Sequence, residues 1–551
     1  MEYSKSWWKR FVFYQIYPRS YSDSTNTGVG DLRGIIQKLS YIKKLGIDAL
    51  WFSPFYPSPQ EDYGYDITNF FGINPEYGTM KDFDELLSSA KDLNLKIILD
   101  MVLNHTSHRH EWFIESKSDK NNAKRDWYIW RKGRGSQGNK PPNNWKSIIG
   151  GSAWEWDEET QEFYLHQFLP CQPDLNWYNP EVQKIMFEAI KFWLDIGVDG
   201  YRLDIIHTVY EDKEFRNNPK SRYILPSHKR LDSLFQNPQY TQFLPETIDL
   251  CHKLRELIGG YSPERVLVGE ATGGPHIFYP LYGDDKLKGL NLVFDFQFTN
   301  QPFSATKFRK AITNNQKSLG KRWPCYTFSN HDTKRMISRH GNDKDKARLL
   351  TLLLLTLRCT PFIYQGEEIG MTQVDIPKEF SRDPIRNLKI RGIPVGRFYS
   401  RDGCRTPMQW DDSHSNAGFS SDRTTKSWLP ISSNISLINV KTQIANENSM
   451  LSFYIRLLQL RKEYRCLQEG AMSSILLEEK DILCYSRTFE GQSLGIFLNF
   501  SKKEKQIVNP YSKDGQLLFS TNNNTQDQRA INISRVLSLQ KYEGIIVEID
   551  S

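Results

Sequence analysis

The sequence predicts an α/β protein, an eight-stranded parallel (β/α)8 barrel with an inserted subdomain after the third strand and a C-terminal antiparallel β domain. Three observations predict it. Strand-like apolar runs alternate with amphipathic helix patterns from Phe11 to Gln365, which implies crossover helices and a parallel sheet. The runs number eight, the count that closes a barrel. Polar residues able to do chemistry cluster where those runs end.

The first run is Phe11–Tyr17, followed by a helix pattern over Ile35–Leu45 that stops at Gly46. Asp48–Ser53 is the second strand, Phe83–Leu93 the next helix, and Lys96–Asn104 (KIILDMVLN) the third strand. Val182, Met186, Ala189, Ile190 and Trp193 form a helical stripe running into Gly197, and Gly200–Ile206 (GYRLDII) is the fourth strand. Arg265–Glu270, Leu292–Phe298, Pro324–Ser329 and Thr360–Gln365 complete the set. Residues 105–176 are rich in Trp, Gly, Asn and Pro, with a short strand at Glu162–Phe168, and so long a loop marks an inserted domain. A second insertion follows the eighth strand, and Glu211 to Asp249 forms a rim loop on the fourth. After a helix at Leu451–Arg461, short strands are expected at Ser474–Leu477, Ile482–Thr488, Ser493–Asn499, Gln516–Ser520 and Tyr542–Ile549. The expected division is 1–104 with 177–467 for the barrel, 105–176 for the insert and 468–551 for the β domain.

Bulk properties narrow the function. The net charge of +7 is small for 551 residues and carries no basic stripe, so nucleic acid is not an expected partner. Seven Cys, odd in number and without CxxC, argue against a disulfide framework and for a reducing, cytoplasmic setting. The N-terminal MEYSKSWWKRFVFYQIYP has no signal-peptide core, and the longest apolar run, Leu349 to Leu357, is too short to cross a membrane. Aromatics at 13% suit stacking on sugar rings.

Arg202 and Asp204, two residues apart on a strand, share one face, where buried charges must pair or do chemistry. Asp100, Asn104 and His105 end the third strand, Glu270 the fifth, and His331 with Asp332 the seventh. Two carboxyls on neighbouring strand ends fit glycoside hydrolysis with retention, which needs them about 5–5.5 Å apart. Asp204 is the nucleophile, kept ionised by Arg202, and Glu270 is the acid/base in a drier setting. Asp332 is the third carboxylate, with His105 and His331 as donors on either side.

DMVLNH (Asp100–His105), GYRLDII, GEAT (Gly269–Thr272), FSNHD (Phe328–Asp332) and QPDLN (Gln172–Asn176) stand in an order and spacing that resemble glycoside hydrolase family 13, the α-amylase superfamily. The resemblance implies Asp204 as nucleophile, Glu270 as general acid/base and Asp332 as transition-state stabiliser, with Arg202, His105 and His331 holding the glucosyl ring. QIYPRSYSD (Gln15–Asp23), EDYGYDI (Glu61–Ile67) and RDGCRTPMQWDD (Arg401–Asp412) are similar to its exo-acting α-glucosidases. That likeness implies a blind pocket, with Asp62 and Arg401 gripping the non-reducing end and Tyr65 stacking on the sugar. The substrate is then a small oligosaccharide or disaccharide, and no cofactor is required. Transglucosylation, sucrose or trehalose-type isomerisation and trehalose-6-phosphate hydrolysis are the alternatives on the same scaffold. A scaffold without chemistry is disfavoured by the intact acidic triad. Relatives carry a calcium loop where this chain has DSTNTGVGD (Asp23 to Asp31); Thr replaces an amide and a carboxylate, so weak calcium binding at Asp23 and Asp31, or none, is expected. The β-branched Ile205 after the nucleophile tilts toward α-1,6 bonds by the same likeness.

Overall fold

The computed structural model of the chain describes residues 6–549 apart from 225–226, 228–229, 284–285, 391–392, 395, 476–478, 512–514 and 523–535. Eight parallel strands, first to eighth, are Phe13–Ile16, Ala49–Phe52, Lys96–Val102, Gly200–Asp204, Val266–Gly269, Leu292–Val293, Cys325–Thr327 and Thr360–Tyr364. The pairing order is seventh, eighth, first, second, third, fourth, fifth, sixth, and a parallel bridge between Phe294 and Cys325 brings the two ends together. Every strand residue is buried, as expected of a parallel sheet covered on both faces. Phe13, Trp51, Ile98, Val268, Phe294 and Phe362 fill the interior below the rim, and the Phe13 and Phe362 rings stack at 4.5 Å. The barrel is therefore a packed floor, and only its rim is open to a ligand.

The crossover helices start earlier than their apolar stripes suggest. Leu32–Leu45 is capped by Asp31, which accepts from the Gly34 N–H, and Met80–Asp92 opens with a capping box of Thr79 and Asp82. Each first turn holds a single apolar residue, Leu32 or Met80, ahead of the stripe, so periodicity alone sees each helix about one turn late. Pro180–Ile196 ends at Gly197, whose φ of 122° suits glycine.

The sixth strand is shorter than expected. It stops at Val293 because the Asp295 side chain accepts from the N–H groups of Gln297 and Phe298 and starts a helical turn over Phe296–Thr299. Between the third and fourth strands lie a helix, Glu111–Ser118, and a three-stranded antiparallel sheet with Glu162–Leu165 in its middle. Trp145, Trp154 and Phe163 give that insert its own apolar cluster.

Near the C-terminal end, a five-stranded antiparallel sheet runs in the order Ala471–Ile475, Ile482–Phe489, Gln492–Asn499, Gly544–Ile549, Gly515–Ser520. Of the expected strand at Ser474–Leu477, residues 476–477 lie outside the described residues. A ribbon of Lys505–Val508 and Val536–Leu539 was not legible in the pattern. The sheet packs on the barrel helix Lys344–Thr356 so closely that a Cβ on Gly544 would sit 2.7 Å from Leu352.

Candidate active site

The register of the third and fourth strands sets Asp100 beside Arg202 and Val102 beside Asp204. The Arg202 guanidinium is fully buried and donates from Nη1 to Asp100 at 2.8 Å and to Asp204 at 2.5 Å, and from Nη2 to Glu270. Trp51, on the second strand, lies under it with its ring 5.1 Å away and donates from Nε1 to Asp100 at 3.2 Å. The shared guanidinium thus brings the Asp204 and Glu270 carboxyls together at the rim, as a retaining pair requires.

Three carboxyls share one cation in a dry place, so they cannot all ionise freely. Burial pushes Asp100 up to about 6 against the pull of Arg202. Asp204 lies well above the usual carboxylate range: burial raises it, Arg202 opposes, and Glu270 and Asp100 raise it further. Arg202 favours the ionised carboxylate that nucleophilic attack needs, against burial and the two neighbouring carboxyls.

Ile205 follows in a left-handed conformation with φ 36° and ψ 39°, an outlier for a β-branched residue. The turn aims its N–H at Glu270, 3.2 Å away.

A second ionic cluster lines the same cavity. Arg401 donates to Asp62 at 2.6 Å and to Asp383 at 2.8 Å, and lies 3.4 Å from Asp332. Asp62 and Arg401 are about nine-tenths buried, so they form no ordinary surface salt bridge. Arg405 donates to Asp332 at 2.6 Å. Burial alone would raise Asp332, but His331, Arg405 and Arg401 outweigh it and hold this carboxyl well below the usual range.

His331 is buried, and burial lowers it to about 3, so the ring is neutral. Its Nδ1 lies 2.7 Å from the Gln15 amide and its Nε2 2.6 Å from the Tyr65 hydroxyl, which is 3.1 Å from Asp100. Tyr65 stacks on His331 at 5.3 Å while lining the cavity. His105, lowered by burial to about 3, lies 3.0 Å from Gln172 Nε2, which also donates to Asp62 at 3.1 Å.

The cavity, about 400 Å³, is lined by Asp62, Tyr65, His105, Asp204, Glu270, Asp332 and Arg401. The sequence-predicted site residues other than Asp23 and Asp31 thus meet around it or, like Arg202 and His331, directly beneath it. Asp23 and Asp31 do not. Asp23 accepts from the N–H groups of Thr25, Thr27 and Gly28 and from Ser420 Oγ, and Asp31 from Ser24 and Gly34. These bonds close the loop on itself with its own N–H and O–H donors and give both carboxylates a structural part.

Asp100, Gln172, Asp383 and Arg405 were missing from the expected site. Asp100, Gln172 and Arg405 sit inside motifs the sequence displays, whereas Asp383 lies in an insertion with no periodic signal. Only its contact with Arg401 reveals it.

A nearly closed parallel barrel with paired carboxyls on one arginine at its rim, and an ionic cluster lining the same cavity, fits a class of sugar-cleaving enzymes. The chain belongs to the α-amylase family, glycoside hydrolase family 13: the model for the alpha amylase catalytic domain matches residues 15–470. It is 41% identical over 527 residues to an oligo-1,6-glucosidase of Parageobacillus thermoglucosidasius, covering 90% of this chain and 91% of that one. A trehalose-6-phosphate hydrolase of Bacillus subtilis is 35% identical, covering 92% of each chain. Among solved structures, an alpha-glucosyl transfer enzyme superposes with a TM-score of 0.89 at 35% identity, covering 99% of this chain and 100% of that one.

Proposed function

We propose that the protein is a retaining exo-α-glucosidase that releases α-glucose from the non-reducing end of short α-glucosides. The observation that carries this reading is the Arg202 guanidinium holding both Asp204 and Glu270, in a cavity that the ion pair of Asp62 and Arg401 also lines. Asp204 attacks the anomeric carbon while Glu270 gives its proton to the glycosidic oxygen; the bond to the leaving group breaks and a glucosyl ester forms. Water then gives a proton to Glu270 and attacks the same carbon, and Asp204 leaves. Asp332, kept ionised, accepts from the sugar's hydroxyls, and the neutral rings of His105 and His331 flank the same ring.

The oligo-1,6-glucosidase relatives and the β-branched Ile205 support α-1,6 bonds as the preferred linkage. A phosphorylated sugar is less well supported: Arg401 is the one Lys or Arg among the described lining residues, and two carboxylates already hold it. In this reading the substrate is a small cytoplasmic sugar, and the reaction needs no cofactor. Likeness to an alpha-glucosyl transfer enzyme supports a second reading, in which an alcohol replaces water. Product analysis at high substrate concentration separates the two.

Asp204→Asn should lower kcat/KM on isomaltose by ~10³-fold or more with the circular dichroism unchanged. Near-wild-type turnover by that variant, or release of β-glucose detected by NMR, would refute the mechanism. Glu270→Gln should be comparably impaired on isomaltose but far less on glucosides with activated leaving groups.

A further inference from the structure

A second and larger cavity, about 730 Å³, adjoins the catalytic one, and Asp332, Tyr399 and Arg401 line both. Lys334 and Arg339 reach it from the segment after the seventh strand, and Arg386 and Arg397 from the insertion after the eighth. With Arg401 its described lining holds five cationic side chains against two carboxylates, Asp332 and Asp375. The catalytic cavity has the opposite balance: Arg401 stands among Asp62, Asp204, Glu270 and Asp332. The two cavities therefore favour ligands of different charge.

Most of the positive charge in the larger cavity has no carboxylate to answer it. Lys334 is exposed and has no hydrogen-bond or ionic partner among the described residues. Arg386 donates from Nη1 to the Ile376 carbonyl at 2.9 Å and meets no carboxylate among the described residues. Arg339 donates from Nη1 to the Thr299 carbonyl at 2.6 Å and to the Asn300 side chain at 3.2 Å, and from Nη2 to the Phe328 carbonyl. Burial, only partly offset by Glu367, lowers Arg339 to about 10. A nearby anion would favour its charged form again. Arg397 meets Asp375 at 3.2 Å, but these side chains are 70% and 82% exposed, so water screens the pair and Arg397 can turn to a ligand.

Groups suited to a sugar stand among these cations. Phe398, 85% exposed, offers a ring face, and Thr333, Asn342 and Gln373 supply hydroxyl and amide groups. Free phosphate would use neither the ring face nor most of the volume.

We infer that this second cavity binds a phosphorylated sugar, its phosphate among Lys334, Arg339, Arg386 and Arg397 and its ring against Phe398. The site is separate from that of the cleaved glucoside and does not depend on the glucosidase reading. A ligand held there stands next to Asp332 and Arg401 without entering the catalytic cavity.

The test is calorimetric titration of the whole protein with glucose 6-phosphate, glucose and inorganic phosphate. Glucose 6-phosphate should bind at least tenfold more tightly than either of the others. Lys334→Gln with Arg397→Gln, both at exposed positions, should weaken it by about tenfold or more, with circular dichroism and isomaltose turnover unchanged. Lys334→Gln alone serves if the pair does not fold, with a smaller loss expected. In Asp204→Asn, saturating isomaltose should leave the glucose 6-phosphate affinity within about twofold. Wild-type protein that does not bind glucose 6-phosphate overturns the inference, as does unchanged affinity in the folded variants. Inorganic phosphate binding as tightly as glucose 6-phosphate overturns the sugar part of it. Displacement by isomaltose would put the ligand in the catalytic cavity and overturn it as well.

Discussion

Asp100 shows how one residue sets the chemistry of another without reaching the substrate. It occupies one side of the Arg202 guanidinium, fixed by Trp51 and Tyr65, and its negative charge adds to Asp204's hold on a proton. Removing that charge makes Asp204 easier to ionise. The sign follows directly: the acid limb of kcat/KM, where the nucleophile takes up a proton, should move to lower pH in Asp100→Asn by the order of one pH unit. A pH–rate profile checks it, and a limb displaced upward would show that Arg202, without Asp100 to anchor it, turns away from Asp204. Glu270 stands at the third corner of the same guanidinium, so its position depends on Arg202 as much as on its own strand.

At the scale of elements, side-chain oxygens decide where helices and loops begin. Asp31 closes the 23–31 loop onto Ser24 and caps the helix Leu32–Leu45 at the Gly34 N–H. Asp31→Ala should cost about 1–2 kcal/mol, read from denaturant unfolding, for the lost cap. Chelation should leave the wild-type melting temperature unchanged, because the loop's carboxylates bond to its own N–H and O–H groups; a drop with EDTA would restore a cation to the loop. Asp295 does similar work at the sixth strand, where its two accepted N–H bonds end the strand and begin a turn of helix.

At the scale of the whole molecule, two buried arginines that meet backbone rather than carboxylate tie the C-terminal sheet to the barrel helices. Arg487, on the C-terminal sheet, donates to the carbonyls of Thr356, Leu467 and Gly470, and Arg461 to those of Leu355, Leu467 and Cys359. Burial, aided by Arg461, lowers Arg487 to about 9. Arg487→Met leaves three carbonyls without that donor, at ~1–3 kcal/mol for each one stranded away from water. Calorimetry should show one transition at a lower temperature, because the sheet and the helix Lys344–Thr356 share an interface. A separate early transition would mean that the C-terminal sheet melts independently of the barrel.

The sequence by itself determined the alternation of strands and helices, the barrel, and the strand-end residues Asp204, Glu270, Asp332, Arg202, His105 and His331. Periodicity and short motifs are local properties, and strand ends converge on one rim whatever the loops do. Helix starts were less legible, since capping residues such as Asp31 and Thr79 are polar and precede the apolar stripe. Only the tertiary structure decided what surrounds those residues. The sharing of one guanidinium among Asp100, Asp204 and Glu270 and the seating of Arg401 between Asp62 and Asp383 join residues far apart in the chain. Proton affinities follow those neighbours and their burial, which the order of residues does not specify.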